Sequence, residues 1–192
     1  LQRALINYFL DKAREAGYVT KESATLLAQL YLDAINDGSD AILNICSSVG
    51  EAADSMQDFA KYTGVPIVRI DEEMCREAVR LGKNIGVLAT LPTTLEPTKN
   101  TINKVAREIG KQVNLVDGLI EGAFNIDQEQ FIDLMIKKVG EINDQVDVIL
   151  LSQGSMAYAE EHIQKAYNKP VLSSPRFGAI ALKEALESKG II

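Results

Sequence analysis

The strongest constraint on this chain is that it writes one segment twice. Asp40-Ala-Ile-Leu-Asn-Ile-Cys46-Ser-Ser-Val-Gly-Glu-Ala52 lies over Asp147-Val-Ile-Leu-Leu-Ser-Gln153-Gly-Ser-Met-Ala-Tyr-Ala159 without a gap. Each copy reads as an apolar strand, a small polar turn and the start of a helix. Cys46 falls opposite Gln153. A repeated strand–turn–helix with a thiol in one copy predicts a pseudo-symmetric site between two similar halves. The residue in the second slot then decides which chemistry remains.

The pattern around the repeat predicts an α/β fold. Short apolar strands are expected at 41–45, 66–70, 85–89, 113–116, 148–151 and 170–172, mostly alternating with helices at 48–62, 72–81, 94–109, 128–143, 155–167 and 177–188. Runs such as Val148-Ile-Leu-Leu151 are apolar throughout, as parallel strands covered on both faces require. Two helices precede the first strand. Leu1, Leu5, Phe9 and Ala13 share one helical face that Gly17 ends; Thr20 caps the next, whose apolar stripe is Ala24, Leu27, Leu30, Tyr31 and Ala34. The expectation is two lobes, 1–92 and 93–192, each a mainly parallel sheet flanked by helices. The boundary falls near Thr90–Pro97, and the C-terminal helix crosses back to the first lobe. The chain opens at Leu1, directly on a helix, so the expectation is that it lacks its natural beginning.

Several function classes lose support. A net charge of −7 and a pI near 4.8 argue against a nucleic-acid or anionic-membrane surface, yet leave a local site free to bind a small anion. No apolar run is long enough to span a bilayer. Two cysteines, Cys46 and Cys75, make no disulfide framework, and free thiols fit a reducing cytoplasm. The one histidine, His162, lies in a polar helical stretch, which leaves no His-based metal site and no Ser-His-Asp triad. Neither Gly-x-x-x-x-Gly-Lys-Ser/Thr nor Gly-x-Gly-x-x-Gly follows a strand, so nucleotide hydrolysis and dinucleotide redox chemistry are not indicated.

Ligands of parallel α/β sheets bind beyond the carboxyl ends of the strands. Here those positions are Cys46-Ser47-Ser48, Thr90 to Thr94, Ser152 to Ser155, and Ser173-Ser174, all rich in small hydroxyl residues. Singly, each such residue is a helix cap; Ser48 with Glu51 and Thr93 with Glu96 even have capping-box spacing. Four such turns together read as a cage for carboxylate oxygens. Cys46 begins a helix in this reading, where the macrodipole and free N–H groups favour a thiolate able to act as base or nucleophile. Cys75, behind acidic residues inside a helix, reads as packing. Arg69 and Arg176 each follow a strand in matching places, either to pair with a substrate carboxylate or to form ordinary salt bridges.

With these residues the chain resembles the aspartate/glutamate/hydantoin racemase superfamily. The resemblance runs from about the first helix to the C-terminus, and its strongest stretches are Asn44 to Gly50, Pro66 to Glu72, Gly86 to Thr98, Leu151 to Ala157 and Ser173 to Arg176. It implies two α/β lobes related by a pseudo-twofold axis, no cofactor, a homodimer, and proton transfer at the carbon next to a carboxylate. Two cysteines then face each other across that carbon. Carried over, Cys46 matches the first of them, and Ser47, Ser48, Thr90, Thr93, Thr94 and Ser155 fall in substrate-binding turns. The chain departs from the family in two places. Gln153 occupies the second cysteine slot, and an amide neither takes nor gives a proton near neutral pH, which removes one of the two bases of symmetric racemisation. The family's first strand and its loop are also not displayed. The residues leave open a racemase or isomerase, a one-thiol decarboxylase or lyase, and a catalytically silent carboxylate-binding protein; a thiol hydrolase, which needs a base beside Cys46, ranks last because the one histidine lies far along the sequence.

Overall fold

The computed structural model describes Ala16, residues 18–123 and residues 126–192. The helix expected over Leu1–Ala13, with its stop at Gly17, lies outside those residues. The described chain is α/β throughout, with every strand pair parallel. In chain order the elements are α1 (Lys21–Asn36), β1 (Ile42–Asn44), α2 (Gly50–Thr63), β2 (Ile67–Arg69), α3 (Glu72–Leu81), β3 (Asn84–Ala89), α4 (Pro92–Ile109), β4 (Asn114–Leu119), α5 (Gln128–Ile142), β5 (Val148–Leu151), α6 (Glu160–Tyr167), β6 (Val171–Ser173) and α7 (Ser174–Glu187). Short 3₁₀ turns at Ser47–Val49 and Gly154–Ala159 sit between β1 and α2 and between β5 and α6.

The chain divides into two units, the first holding the described residues up to Ile70 together with Gly178–Ile192, the second Asp71–Phe177. The division falls at 70/71, well before the expected 92/93. The cause is strand pairing: β3 lies between β4 and β5, so β3 and the α3 helix ahead of it belong to the second sheet. The stretch Thr90–Pro97, where the boundary was expected, is largely the start of α4. Pro92 opens that helix at its first turn, where a missing N–H is harmless. Pro97 lies further inside the same helix.

The first unit has a two-stranded sheet among its described residues, with Ile42, Leu43 and Asn44 opposite Ile67, Val68 and Arg69. Its core gathers Leu27 and Tyr31 of α1 with Val49, Ala53, Ala60 and Ile67. Thr20 caps α1 as expected, its hydroxyl accepting from the Ser23 N–H at 3.2 Å. Gly178 fixes one stretch of α7 against this unit: a Cβ there would come within 2.8 Å of the Ile70 Cα.

The second unit is a four-stranded sheet in the order β4-β3-β5-β6 with helices on both faces. Side chains alternate along each strand, as the two-residue period dictates. Ile85, Val87, Ala89, Val148 and Leu150 pack with α3 and α4, while Leu88, Ile149 and Leu151 pack with α5, α6 and Met156. Cys75 is fully buried in the first of these cores, as the sequence predicts. His162 is exposed on α6, also as predicted. Among the described residues, no helix is long and apolar enough to cross a membrane.

Candidate active site

The duplicated segment is duplicated in three dimensions. In each copy a strand runs into a residue that caps a 3₁₀ turn, and the two caps share a backbone conformation: φ −105°, ψ 104° at Cys46 and φ −115°, ψ 127° at Gln153. Neither side chain turns back to cap its own turn. Each stands instead at the carboxyl edge of a parallel sheet.

In the first unit, Cys46 is half-buried and packs against the Tyr31–Ile67 core. The main chain beneath it is well held, since the Cys46 carbonyl accepts from Asn44 Nδ2 at 3.1 Å and from the Val49 N–H at 3.3 Å. Cys46 does not begin an α-helix, contrary to expectation; a three-residue turn separates it from α2, which starts at Gly50. Ser47 is buried and Ser48 half-buried in that turn. The capping box expected from Ser48 and Glu51 does not form, because Val49 is the cap of α2 and offers no polar side chain.

Beside this turn lies Arg69, which the sequence left open between substrate and salt bridge. Its side chain is fully buried and its Nη1 donates to Asp54 Oδ2 at 2.9 Å. The guanidinium lies against the start of α2, where a Cβ on Gly50 would come within 2.4 Å of Nη2. The second copy has Ala157 at the position matching Gly50, so it carries the Cβ that the first copy has no room for. Tyr31, read from sequence only as part of an apolar stripe, brings a buried hydroxyl to the same region. Burial holds that hydroxyl above the usual tyrosine range; the Cys46 thiolate adds to the effect and the Arg69 guanidinium opposes it. A lone tyrosine in an otherwise aliphatic helix face was the available signal.

In the second unit, three of the four expected turns meet along one sheet edge. The strand order places β3 next to β5, and the chain leaves β3 for β4 on one side and β5 for β6 on the other. That is a topological switch point, the crevice where such sheets receive ligands. Thr90 follows β3 and Gln153 follows β5, and the two bridge this crevice. Gln153 Oε1 accepts from the Thr90 N–H at 2.8 Å and from its Oγ1 at 3.0 Å, while Nε2 donates to the same hydroxyl oxygen at 2.9 Å. Ser152 is turned inward and donates to the Leu88 carbonyl at 2.7 Å. Ser155 is exposed in the 3₁₀ turn, and Ser173 donates to Glu160 Oε2.

Thr93 and Thr94 lie in the first turn of α4. Thr93 does not form the expected capping box with Glu96, because Leu91 is the cap and Pro92 the first helical residue. Its Oγ1 is buried without a hydrogen-bond partner among the described residues, and so is the Oγ of Ser174 at the start of α7. Arg176 is exposed and stacks over the Phe177 ring at 5.3 Å. Among the described residues, no group of three or more His, Cys, Asp or Glu side chains could hold a metal ion.

Known proteins share this fold. No curated protein matches the chain in sequence. Among solved structures, a glutamate racemase of Bacillus anthracis superposes with a TM-score of 0.68 at 17% identity, covering 90% of this chain and 67% of its own. An allantoin racemase of Klebsiella pneumoniae gives 0.62 at 16% identity, over 88% of this chain and 68% of the other. A variant of arylmalonate decarboxylase gives 0.58 at 16% identity, over 86% and 74%. The chain thus spans about two thirds to three quarters of the length of these relatives. At such identities the likeness concerns the fold. The sequence pattern of the Asp/Glu/Hydantoin racemase family matches residues 6–182, nearly the whole chain, and the protein belongs to that family.

Proposed function

We propose that this protein is a cofactor-independent racemase-family enzyme that moves a proton at the carbon next to a carboxylate, with Cys46 as its only thiol acid/base. One observation carries the one-thiol reading: the Gln153 amide is bound to Thr90 through three polar contacts. An amide has no proton to transfer near neutral pH, and this one is held at the Thr90 turn. Gln153 therefore serves to fix the Thr90 loop, and the Thr90 N–H already has an acceptor before any substrate arrives. Substrate carboxylate contacts fall to the other hydroxyl residues of the turns: Ser47 and Ser48 in the first unit, Thr93, Thr94 and Ser155 in the second. Family membership and the relatives named above, two racemases and a decarboxylase, favour racemisation or decarboxylation of a small carboxylate over hydrolysis.

The test is proton exchange. The protein is incubated in D₂O with a panel of small amino and dicarboxylic acids, and proton NMR follows loss of the α-proton. Exchange is expected with the wild type and lost by about 10²-fold or more in Cys46→Ala, the range over which a positioned acid/base acts. Gln153→Met should retain it. Exchange that survives Cys46→Ala removes the thiol from the mechanism. A carboxylate that raises Tm yet never exchanges points instead to a binding protein.

A further inference from the structure

Several hydroxyls at the carboxyl edge of the second unit's sheet are already engaged within the protein. Ser152 donates to the Leu88 carbonyl, Thr90 to Gln153 Oε1, and Ser173 to Glu160 Oε2. Ser174, the first residue of α7, differs from them. It is 1% exposed, and its Oγ has no hydrogen-bond partner among the described residues. A buried O–H left unpaired costs free energy that an alanine in its place avoids, so a serine here asks for an acceptor.

What faces this hydroxyl is a turn without a side chain. A Cβ on Gly154 would lie 3.4 Å from Ser174 Oγ and 3.6 Å from Pro175 Cγ, so the glycine keeps its side of the turn bare toward the hydroxyl. The first copy of the duplicated segment has Ser47 in the matching place, a hydroxyl of its own where the second copy has none. The α7 side of the turn favours an anion. This helix is 14 residues long with no acidic residue in its first turn, and the first N–H groups of a helix have no partner within it. Arg176, in that same turn, is exposed and forms no ion pair among the described residues; its guanidinium stacks over Phe177. All of these second-copy and α7 residues belong to the second unit.

We propose that Ser174 and the first turn of α7 form a subsite for a carboxylate group, with the Ser174 hydroxyl donating to one carboxylate oxygen and Arg176 supplying positive charge beside it. The oxygen reaches the hydroxyl over the bare Cα of Gly154. That glycine belongs to the subsite by what it omits, since a side chain there would stand against the hydroxyl. Ser173 already carries the Glu160 carboxylate one residue away, which favours a singly charged group over a phosphate. The subsite rests on the reading of the protein as one that takes a small carboxylate. Its test follows binding without turnover, so it can fail while α-proton exchange succeeds, and the reverse.

The experiment is an amide NMR titration of the isotope-labelled full chain with sodium succinate at constant ionic strength, read at Gly154, Ser155 and Arg176. In the wild type these signals should move along one saturating curve. Ser174→Ala should weaken binding by about tenfold or more, as expected for a lost hydrogen bond to a charged group. Gly154→Ala should weaken it similarly, since a Cβ at 3.4 Å is tolerated by the fold yet sets a methyl against the hydroxyl. Without ligand, Ser174→Ala should melt at or above the wild-type Tm, because it removes an unsatisfied polar group. No saturable shift at these amides, or an unchanged Kd in Ser174→Ala, overturns the proposal. A lower Tm of ligand-free Ser174→Ala overturns it as well, since the hydroxyl then has its partner inside the protein.

Discussion

The two copies of the strand–turn–helix invite comparison because their backbones agree while their side chains have opposite fates. At Cys46 the turn has beside it the buried Arg69–Asp54 pair, whose guanidinium lies against Gly50 at the start of α2. At Gln153 the cap side chain itself is the support, tying β5 to the turn after β3. The same local conformation thus carries a thiol in one unit and an amide bonded across to the next strand's turn in the other. Duplication of a backbone does not imply duplication of side-chain contacts.

The largest test of that contrast is Asp54→Ala. It leaves a fully buried guanidinium without its 2.9 Å carboxylate, and the loss of one partner of a buried pair costs about 3–5 kcal/mol. Urea unfolding should show the midpoint falling accordingly. A change of less than about 1 kcal/mol would mean that the Cys46 turn does not depend on the pair. Gln153→Met sharpens the other half. It keeps the side-chain length and apolar stem but deprives the Thr90 N–H and hydroxyl of their acceptor, for a loss of about 1–3 kcal/mol. Equal stability of the two proteins would show that Gln153 is no fastening.

The smallest effect concerns Asp147, which opens the second copy. Its Oδ2 accepts from the Lys83 N–H at 3.0 Å, the Asn84 N–H at 2.8 Å and Asn84 Nδ2 at 3.1 Å. These donors, the Asn84 N–H foremost, hold its carboxyl below the usual aspartate range. A carboxylate depressed in the folded state adds stability above its unfolded pKa, and that contribution disappears as pH falls through the folded value. Tm measured from pH 7 down to pH 3 should therefore fall less steeply in Asp147→Asn than in the wild type. Parallel curves would assign the acid sensitivity elsewhere.

Much of this was legible in the sequence, for identifiable reasons. The strands of the second unit announce themselves as uninterrupted apolar runs because both faces of the sheet are covered, and β5 occupies the 148–151 expected of it. The repeat was legible because it is written in consecutive residues. Helix starts were less so: Pro92 opened α4 two residues ahead of the expected start and left Thr93 inside the helix. The role of Arg69 was hidden because a cation at a strand end gives no sign of whether a neighbouring helix will cover it. The bond between Gln153 and Thr90 joins residues 63 apart and exists only because β3 and β5 are adjacent. Adjacency of strands is not written in either segment.

The division of the chain at both 70/71 and 177/178 also affects how the protein is made. The second unit is an insert in the first, and all of its sequence leaves the ribosome before Gly178 does. Asp71–Phe177 can therefore close its four-stranded sheet during synthesis, while the unit carrying Cys46 must wait for Gly178–Ile192. Newly made chains thus hold Cys46 in an unfinished setting until Gly178–Ile192 has emerged, and the unit that begins first in sequence is completed after the one inserted in it.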